Sequence, residues 1–204
     1  MLEQEPARAD SAAVPAPRVA LPWLLLPCVP FAAACTGFRE VRPGVYRSGQ
    51  PGEDQLFRRI TAFGLRTVVC LRGRSDPAAA SARATEGAGI HFWNVPMSAT
   101  RLPRPETLHE LWRVAATAER PLLLHCRAGV DRTGLAAAIV VLHDTGDLAA
   151  ARAQLATFPH GHLGMIGTEA MDEVLDRYSR HADRLTFPQW IDEVYAGEFA
   201  AAPR

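Results

Sequence analysis

The stretch of sequence that most constrains the fold runs from residue 121 to residue 143. It begins with an apolar segment of β character, Pro121 to His125, and ends in a strongly apolar helical segment, Thr133 to His143. The loop between them contains Gly129 and is followed by Gly134, which permit sharp bends and close approach of a ligand to the backbone. An apolar strand leading directly into a helix is typical of parallel sheets covered by helices on both faces. In such sheets ligands bind at the carboxyl ends of the strands.

Short β-like runs alternate with helical segments along the chain from residue 38. The predicted strands are 45–48, 66–71, 91–95 and 121–125, and the predicted helices are 53–63, 77–86, 105–117, 133–143, 147–158, 168–183 and 187–195. This alternation predicts an α/β fold with a mainly parallel central sheet of four to five strands flanked by helices. A chain of 204 residues accommodates one such domain, which we place at residues 38–198.

The charge composition limits the ligands that the protein can bind and the groups that can hold them. The formal net charge is zero, so nothing in the overall balance indicates a nucleic-acid partner. Every basic side chain is arginine, because the sequence contains no lysine. Any contact to a phosphate must therefore come from arginine or from backbone N–H groups.

The N-terminal region is predicted to lie outside the folded domain. Residues 1–18 have the composition of a disordered segment, and residues 19–35 form an apolar run of the length of a signal-peptide core. The run ends in three alanines and Cys35, which resembles a bacterial lipoprotein cleavage site, although Ala32 stands where leucine is usual. We expect export or a membrane tether in the bacterial envelope. The alternatives are an uncleaved anchor, a helix packed on the domain, or a cytoplasmic protein.

The cysteines and histidines show no spacing typical of a metal site. The four cysteines, Cys28, Cys35, Cys70 and Cys126, lack the paired spacing of zinc ligands, and a disulfide framework is not expected. His160 and His162 lie close together, but no third ligand accompanies them, which favours a surface turn.

The loop that follows the 121–125 strand carries the residues expected to perform chemistry, in the string HCRAGVDRTG. A thiolate is the nucleophilic form of cysteine, and both a helix N-terminus and a nearby arginine stabilise it. Cys126 is therefore expected to attack phosphorus, while the guanidinium of Arg132 binds two phosphoryl oxygens. Thr133 is a candidate hydrogen-bond donor to the sulfur, and His125 is expected to position the cysteine. The predicted phosphate-binding residues are Arg127, Ala128, Gly129, Val130, Asp131 and Arg132.

On these residues the sequence resembles the cysteine-based protein tyrosine and dual-specificity phosphatases. The segments Val45–Pro51 and Gly64–Arg72 resemble the opening of small bacterial and fungal dual-specificity-like members, and Phe187–Tyr195 resembles the C-terminal helix of the bacterial group. The resemblance covers residues 40–196. It implies a protein tyrosine phosphatase-like fold, a phosphocysteine intermediate, and a phosphorylated protein or a small phosphate ester as substrate. It also implies that the enzyme uses no metal and no organic cofactor.

One part of the family pattern is missing. These enzymes usually place a general-acid aspartate about thirty residues before the cysteine, but the stretch Asn94–Pro103 contains no Asp or Glu. Asp131, inside the loop, is the best substitute, as in some lipid-directed and bacterial relatives. Its alternative role is that of a structural carboxylate, because an acid beside Arg132 tends to stay ionised. Asp76 is a weaker candidate acid and is more typical of a helix cap.

Four other arginines are candidates for the pocket or, alternatively, for surface positions and ion pairs: Arg47, Arg72, Arg74 and Arg101. Arg72 is favoured among them because it follows a strand whose carboxyl end faces the same cleft.

Three functions remain open. They are hydrolysis of phosphorylated protein side chains, hydrolysis of an inositol phosphate or phosphoinositide, and binding of phosphate without catalysis. The aspartate in the loop favours the second and the missing lysine weakens it. The intact Cys126 and Arg132 argue against the third.

Overall fold

The computed structural model describes residues 37–163 and 167–201, which form a five-stranded sheet with helices on both faces. The predictions for residues 1–18 and 19–35, including Cys28 and Cys35, lie outside the described residues. The strands are β1 Arg39–Arg42, β2 Val45–Ser48, β3 Thr67–Cys70, β4 His91–Asn94 and β5 Leu122–His125.

The sheet has the strand order β1-β2-β5-β3-β4, so that β5 lies in its centre. β5 pairs in parallel with β2 on one side and with β3 on the other, and β4 pairs in parallel with β3. Only β1, at the edge, is antiparallel to its neighbour. This confirms the mainly parallel sheet, and β1 is the strand that the sequence pattern did not predict. Ser48, Cys70 and His125 share one register position, so the carboxyl ends of three strands meet at the same edge.

The helices follow the strands in the order that the alternation predicts. They are α1 Glu53–Phe63, α2 Asp76–Gly87, α3 Pro105–Thr117, α4 Asp131–Thr145, α5 Leu148–Arg152, α6 Thr157–His160, α7 Glu169–Ser179, α8 Phe187–Trp190 and α9 Ala196–Ala201. A 3₁₀ turn at Ala153–Leu155 follows α5, and a π-helical turn at Ile191–Tyr195 joins α8 to α9. The predicted helix over 147–158 is therefore divided, and the last helix extends beyond 195.

Two apolar cores hold the helices against the sheet, and alternate residues of β5 supply both. Leu122 and Leu124 belong to the larger core, which includes most of α4 and residues of α3, α7 and α8. Leu123 points to the smaller core, which α1 and α2 cover. Since β5 is buried on both faces, it fixes the position of the residue that follows it, Cys126.

Candidate active site

The loop from Cys126 to Arg132, here called the cysteine loop, leaves the central strand β5 and enters α4. The helix begins at Asp131, two residues before the predicted start, so Asp131, Arg132 and Thr133 lie in its first turn. Cys126 is only 2% exposed, and its Sγ accepts a hydrogen bond from the backbone N–H of Gly129 at 3.2 Å. The strand, loop and helix thus have the predicted arrangement, with the thiol at the N-terminal end of a helix.

The carbonyl groups of the cysteine loop are tied to the body of the domain. The carbonyl of Arg127 accepts a hydrogen bond from the backbone N–H of Gln50 at 3.1 Å. The guanidinium of Arg47 donates to the carbonyls of Gly129 at 3.1 Å and of Val130 at 3.0 Å. In a planar trans peptide the N–H points opposite to the C=O. The N–H groups of the following residues, Ala128, Val130 and Asp131, therefore point away from these partners.

Arg47 is a support for the cysteine loop, a role that differs from both the pocket position and the surface position considered from the sequence. It is 1% exposed, and Nη1 also donates to the carbonyl of Gln154 at 2.9 Å. Burial, together with the charge of Arg39, lowers the pKa of Arg47 to about 10, while Cys126 and Asp131 act in the opposite direction. The side chain therefore stays charged near neutral pH and crosslinks the loop to the segment after α5.

Gly129 is required for the close contact between the cysteine loop and the end of β2. Its φ is +78°, in the left-handed region that side chains disfavour. A Cβ atom built on Gly129 would lie 2.3 Å from the backbone nitrogen of Gly49 and 2.4 Å from the carbonyl carbon of Ser48. No residue other than glycine fits there without displacing the backbone.

Arg132 and Thr133 are both placed by the first turn of α4, with different degrees of exposure. Arg132 is partly exposed and forms no salt bridge within the described ranges, and its buried Nε has no hydrogen-bond partner there. Its guanidinium is thus not engaged by a carboxylate of the described chain. The hydroxyl of Thr133 is buried and likewise without a partner among residues 37–163 and 167–201, so the hydrogen bond predicted between Thr133 and the sulfur is not formed in this structure.

His125 is fully buried at the end of β5. Burial lowers the pKa of His125 to about 4, the charges of Arg72 and Arg59 act in the same direction, and the backbone of Cys126 opposes them. The imidazole is therefore neutral near pH 7. Neither ring nitrogen forms a well-aligned hydrogen bond in the part of the chain that is described, although the Cys126 backbone lies close enough to act on the ring. His125 supports the cysteine as a buried neighbour and is not placed to carry charge.

Asp131 is joined to a histidine that the sequence suggested would lie in a surface turn. His162 is 2% exposed, so this suggestion was wrong for His162. Its Nδ1 lies 2.8 Å from Oδ1 of Asp131, and its Nε2 lies 2.7 Å from Oδ2 of Asp172 on α7. The reason is electrostatic: two carboxylates offer acceptors to both ring nitrogens and favour the buried position. This contact was not predicted, because 31 residues separate Asp131 from His162.

The remaining candidates lie around the loop with different partners. Arg72 donates to Oε1 of Gln50 at 3.2 Å, and its charge acts on both Cys70 and His125, so it lies near the end of β5. Arg74 is exposed. Arg101 borders a separate groove with Met97, Leu102 and Phe199, whose lining contains no residue of the cysteine loop. Asp76 is the first residue of α2 and Ser75 occupies the cap position, so the cap assignment was off by one.

Two searches of the described residues bear on other kinds of site. Within residues 37–163 and 167–201, no group of three or more His, Cys, Asp or Glu side chains is arranged to hold a metal ion. In the same ranges no helix has both the length and the apolar character needed to cross a membrane.

A nearly buried thiol follows the central strand of a mainly parallel sheet, and Arg132, which has no carboxylate partner within residues 37–163 and 167–201, lies in the next helical turn. This arrangement is typical of the cysteine-dependent phosphatases. Residues 36–155 match the model of the family described as a DSP-PTPase phosphatase fused to NAD⁺ kinase. That match spans more than half of the chain, and the chain belongs to this family. The fold and the superfamily suggested by the sequence motifs are thereby confirmed.

Solved structures support the same fold. TpbA of P. aeruginosa is 23% identical, with a TM-score of 0.59 over 78% of this chain and 93% of its own. The core catalytic domain of the PP-IP phosphatase SIW14 from S. cerevisiae is 19% identical, with a TM-score of 0.54 over 73% of this chain and 94% of its own. A structure of TpbA in complex with pTyr is 22% identical, with a TM-score of 0.54 over 72% of this chain and 91% of its own. No curated protein matches the sequence significantly.

Proposed function

We propose that this phosphatase hydrolyses phosphate monoesters through a phosphocysteine on Cys126. The observation that carries the proposal is the orientation of the cysteine loop. Arg47 and Gln50 hold three of its carbonyls on one side, so that the N–H groups of Ala128, Val130 and Asp131 face the other. Fixed N–H donors at a helix N-terminus bind an anion without reorganisation when charge develops.

In the first step the thiolate of Cys126 attacks phosphorus. The S–P bond forms, the P–O bond to the leaving group breaks, and the leaving oxygen keeps the electron pair. In the second step a water oxygen attacks phosphorus, the S–P bond breaks, and the thiolate and inorganic phosphate are released. The guanidinium of Arg132 and the loop N–H groups bind the equatorial oxygens in both steps.

The leaving group must be stable as an anion, because little acid catalysis is available to protonate its oxygen as it departs. The stretch Asn94–Pro103 supplies no carboxyl group, and Oδ1 of Asp131 is engaged by His162. A carboxylate oxygen held by a buried histidine has a fixed position and a partner within the protein, which supports the structural role of Asp131 over the acid role. We therefore propose that aryl phosphates such as phosphotyrosine are better substrates than the alkyl phosphates of serine and threonine.

A second substrate class follows from the same leaving-group requirement. A phosphoanhydride releases a phosphate group, which needs no proton to depart, and the related SIW14 is a PP-IP phosphatase. The exposed side chains of Arg74 and Arg127 are available for additional phosphate groups. An inositol pyrophosphate is therefore the second candidate, beside the phosphotyrosine that TpbA binds.

The basic test is turnover of p-nitrophenyl phosphate. We expect activity that disappears in Cys126→Ser and falls strongly in Arg132→Lys, because lysine cannot bind two oxygens with one planar group. Cys70→Ala is the matched control, since Cys70 is the other described cysteine and lies in β3. Unchanged turnover in Cys126→Ser would exclude the mechanism, and phosphate binding without any turnover would identify a phosphate-binding protein instead.

Substrate class is tested with a panel at matched concentrations. It contains phosphotyrosine and phosphoserine peptides of one sequence, an inositol monophosphate, and an inositol pyrophosphate. Preference for phosphotyrosine over phosphoserine supports the leaving-group argument, and equal rates contradict it. Preference for the pyrophosphate over the phosphotyrosine peptide selects the second candidate.

The location of the protein is a separate proposal. The apolar run at residues 19–35 supports export or a membrane tether for the phosphatase domain. Fractionation of cells that produce the full chain, together with labelling by a lipid precursor, tests it. Label that is retained in Cys35→Ser would rule out lipidation at that residue.

A further inference from the structure

His162 connects the cysteine loop to the last long helix of the domain. Its ring lies between Oδ1 of Asp131, at the start of α4, and Oδ2 of Asp172, in the first turn of α7. Although it comes from a short connection between α6 and α7, it is as buried as Cys126. A polar side chain that is this buried and has both nitrogens bonded to carboxylates holds its partners in one geometry.

The two contacts determine the charge of the ring. An ionised carboxylate only accepts hydrogen bonds, whereas a neutral imidazole has a single N–H. With both carboxyl groups ionised, the contacts at 2.8 Å and 2.7 Å place a proton on each ring nitrogen. Burial acts to lower the pKa of His162, but the hydrogen bonds and charges of Asp172 and Asp131 outweigh it, and the net direction is upward.

The position of Asp131 gives this charge a consequence. Asp131 lies in the loop proposed to bind a phosphate dianion, where a free carboxylate repels the ligand. Two arginines are neighbours of Asp131 besides His162. Arg47 is close enough for Asp131 to affect its pKa but donates to loop carbonyls, and Arg132 is the next residue in the sequence. His162 is the side chain bonded directly to the Asp131 carboxylate, and Asp172 is its only other carboxylate partner in the described structure.

We propose that His162 is a positioning residue that acts through Asp131, compensating its carboxylate and fixing it to α7 so that the cysteine loop can bind a phosphate dianion. The inference rests on the proposed function only in that the loop is taken to bind a phosphoryl group. It does not depend on turnover. It also explains how a carboxylate is tolerated at this point of the loop.

The test measures binding of inorganic phosphate to the full chain by calorimetry, alone and in a double-mutant cycle. His162→Gln keeps a side chain of similar size without charge, and we expect phosphate affinity to fall about tenfold. Adding Asp131→Asn removes the charge that His162 is proposed to compensate. The phosphate affinity of the double variant, His162→Gln with Asp131→Asn, is therefore expected to recover to within about threefold of the affinity of Asp131→Asn alone. A purely structural role predicts no recovery. His109→Gln, which breaks an exposed histidine–aspartate pair of the same 2.8 Å length, is the matched control.

A second measurement uses the wild-type protein and therefore does not depend on whether His162→Gln folds. Nitrogen-detected NMR of the imidazole groups in the wild-type protein is expected to show a histidine that keeps protons on both ring nitrogens to a higher pH than a free imidazole does, and Asp172→Asn is expected to lower that pH. If no histidine behaves in this way, the proposal is wrong. Phosphate binding without turnover would overturn the proposed function and leave this inference intact. Absence of phosphate binding would overturn both.

Discussion

Arg47 donates hydrogen bonds from Nη2 to the carbonyl oxygen of Gly129, and this contact turns the loop carbonyl away from the side where phosphate is proposed to bind. The same nitrogen donates to the carbonyl of Val130, and Nη1 donates to the carbonyl of Gln154, so one buried side chain holds three backbone carbonyls. The geometry of the proposed phosphate site is thus set by a residue that does not belong to the loop.

The first prediction concerns Arg47. Arg47→Met leaves buried carbonyls without donors, at about 1–3 kcal/mol for each group, and frees the loop peptides to rotate. We expect kcat/KM for p-nitrophenyl phosphate to fall at least about 100-fold, a loss of about 2.7 kcal/mol in transition-state stabilisation. Arg47→Lys, which keeps the charge but not the planar fork, should retain more stability and little activity. Steady-state kinetics with urea unfolding separates the two effects, and full activity in Arg47→Met would contradict the role.

The second prediction concerns Gly129. Gly129→Ala places a methyl group 2.3 Å from the nitrogen of Gly49, at a φ of +78°, so the loop must move away from β2. We expect loss of phosphate binding with the rest of the fold retained, as measured by calorimetry and circular dichroism. Gly146→Ala is the control, because Gly146 also has a positive φ but no atom lies near its Cβ position. Equal phosphate affinity in Gly129→Ala and wild type would refute the close-contact argument.

The third prediction concerns Asp131. If Asp131 is a structural carboxylate bonded to His162, Asp131→Asn changes kcat/KM by a similar factor for p-nitrophenyl phosphate and for phenyl phosphate, whose leaving group is poorer. A general acid behaves differently, because proton donation contributes about 10²–10⁴-fold and matters most for poor leaving groups. A loss confined to phenyl phosphate would therefore assign the acid role to Asp131.

The fourth prediction is a dependence of stability on pH. Because the folded pKa of His162 is raised above its ordinary value, the stability that it contributes is present below about pH 6.5 and disappears as pH rises through the folded pKa. The difference in unfolding free energy between wild type and His162→Gln should be about 1–3 kcal/mol near pH 6 and smaller near pH 9. Urea unfolding at a series of pH values measures it. A difference that grows with pH has the wrong sign for this account.

His109→Gln provides the comparison for that series. His109 and Asp192 are exposed, and exposed ion pairs contribute at most about 1 kcal/mol. We therefore expect a small difference from wild type throughout. A profile for His109→Gln that matched the profile of His162→Gln would show that burial between two carboxylates is not the cause.

The central fold was predictable because its signals are local. The apolar run at Leu122–His125, bounded by a proline and a cysteine, was predicted as a buried strand and is one. The helix Glu53–Phe63 was predicted with the observed limits. The edge strand Arg39–Arg42 was missed because three of its four residues are charged and none is fully buried, which leaves no hydrophobic alternation to detect. The helix predicted over 147–158 was wrong in its continuity, because its apolar positions continue while the backbone turns at Ala153–Leu155.

The site was predictable to the extent that its chemistry lies in one contiguous string. Cys126, Arg132 and the loop residues between them could be identified because strand, loop and helix are adjacent in sequence. The roles of Arg47 and His162 depend on contacts across 82 and 31 residues, and no local pattern marks either. The roles of a buried arginine in a strand and of a histidine after a short helix can be recognised only from the structure, which shows that both side chains contact the loop.

The most direct test of the account is whether Cys126 carries the phosphoryl group during turnover. With p-nitrophenyl phosphate the leaving group departs readily, so breakdown of the intermediate should limit the rate and p-nitrophenol should appear in a burst stoichiometric with enzyme. Acid quench followed by peptide mass spectrometry is expected to find one phosphoryl group on the peptide containing Cys126, and none in Cys126→Ser. Steady turnover with neither a burst nor a modified Cys126 would contradict the mechanism.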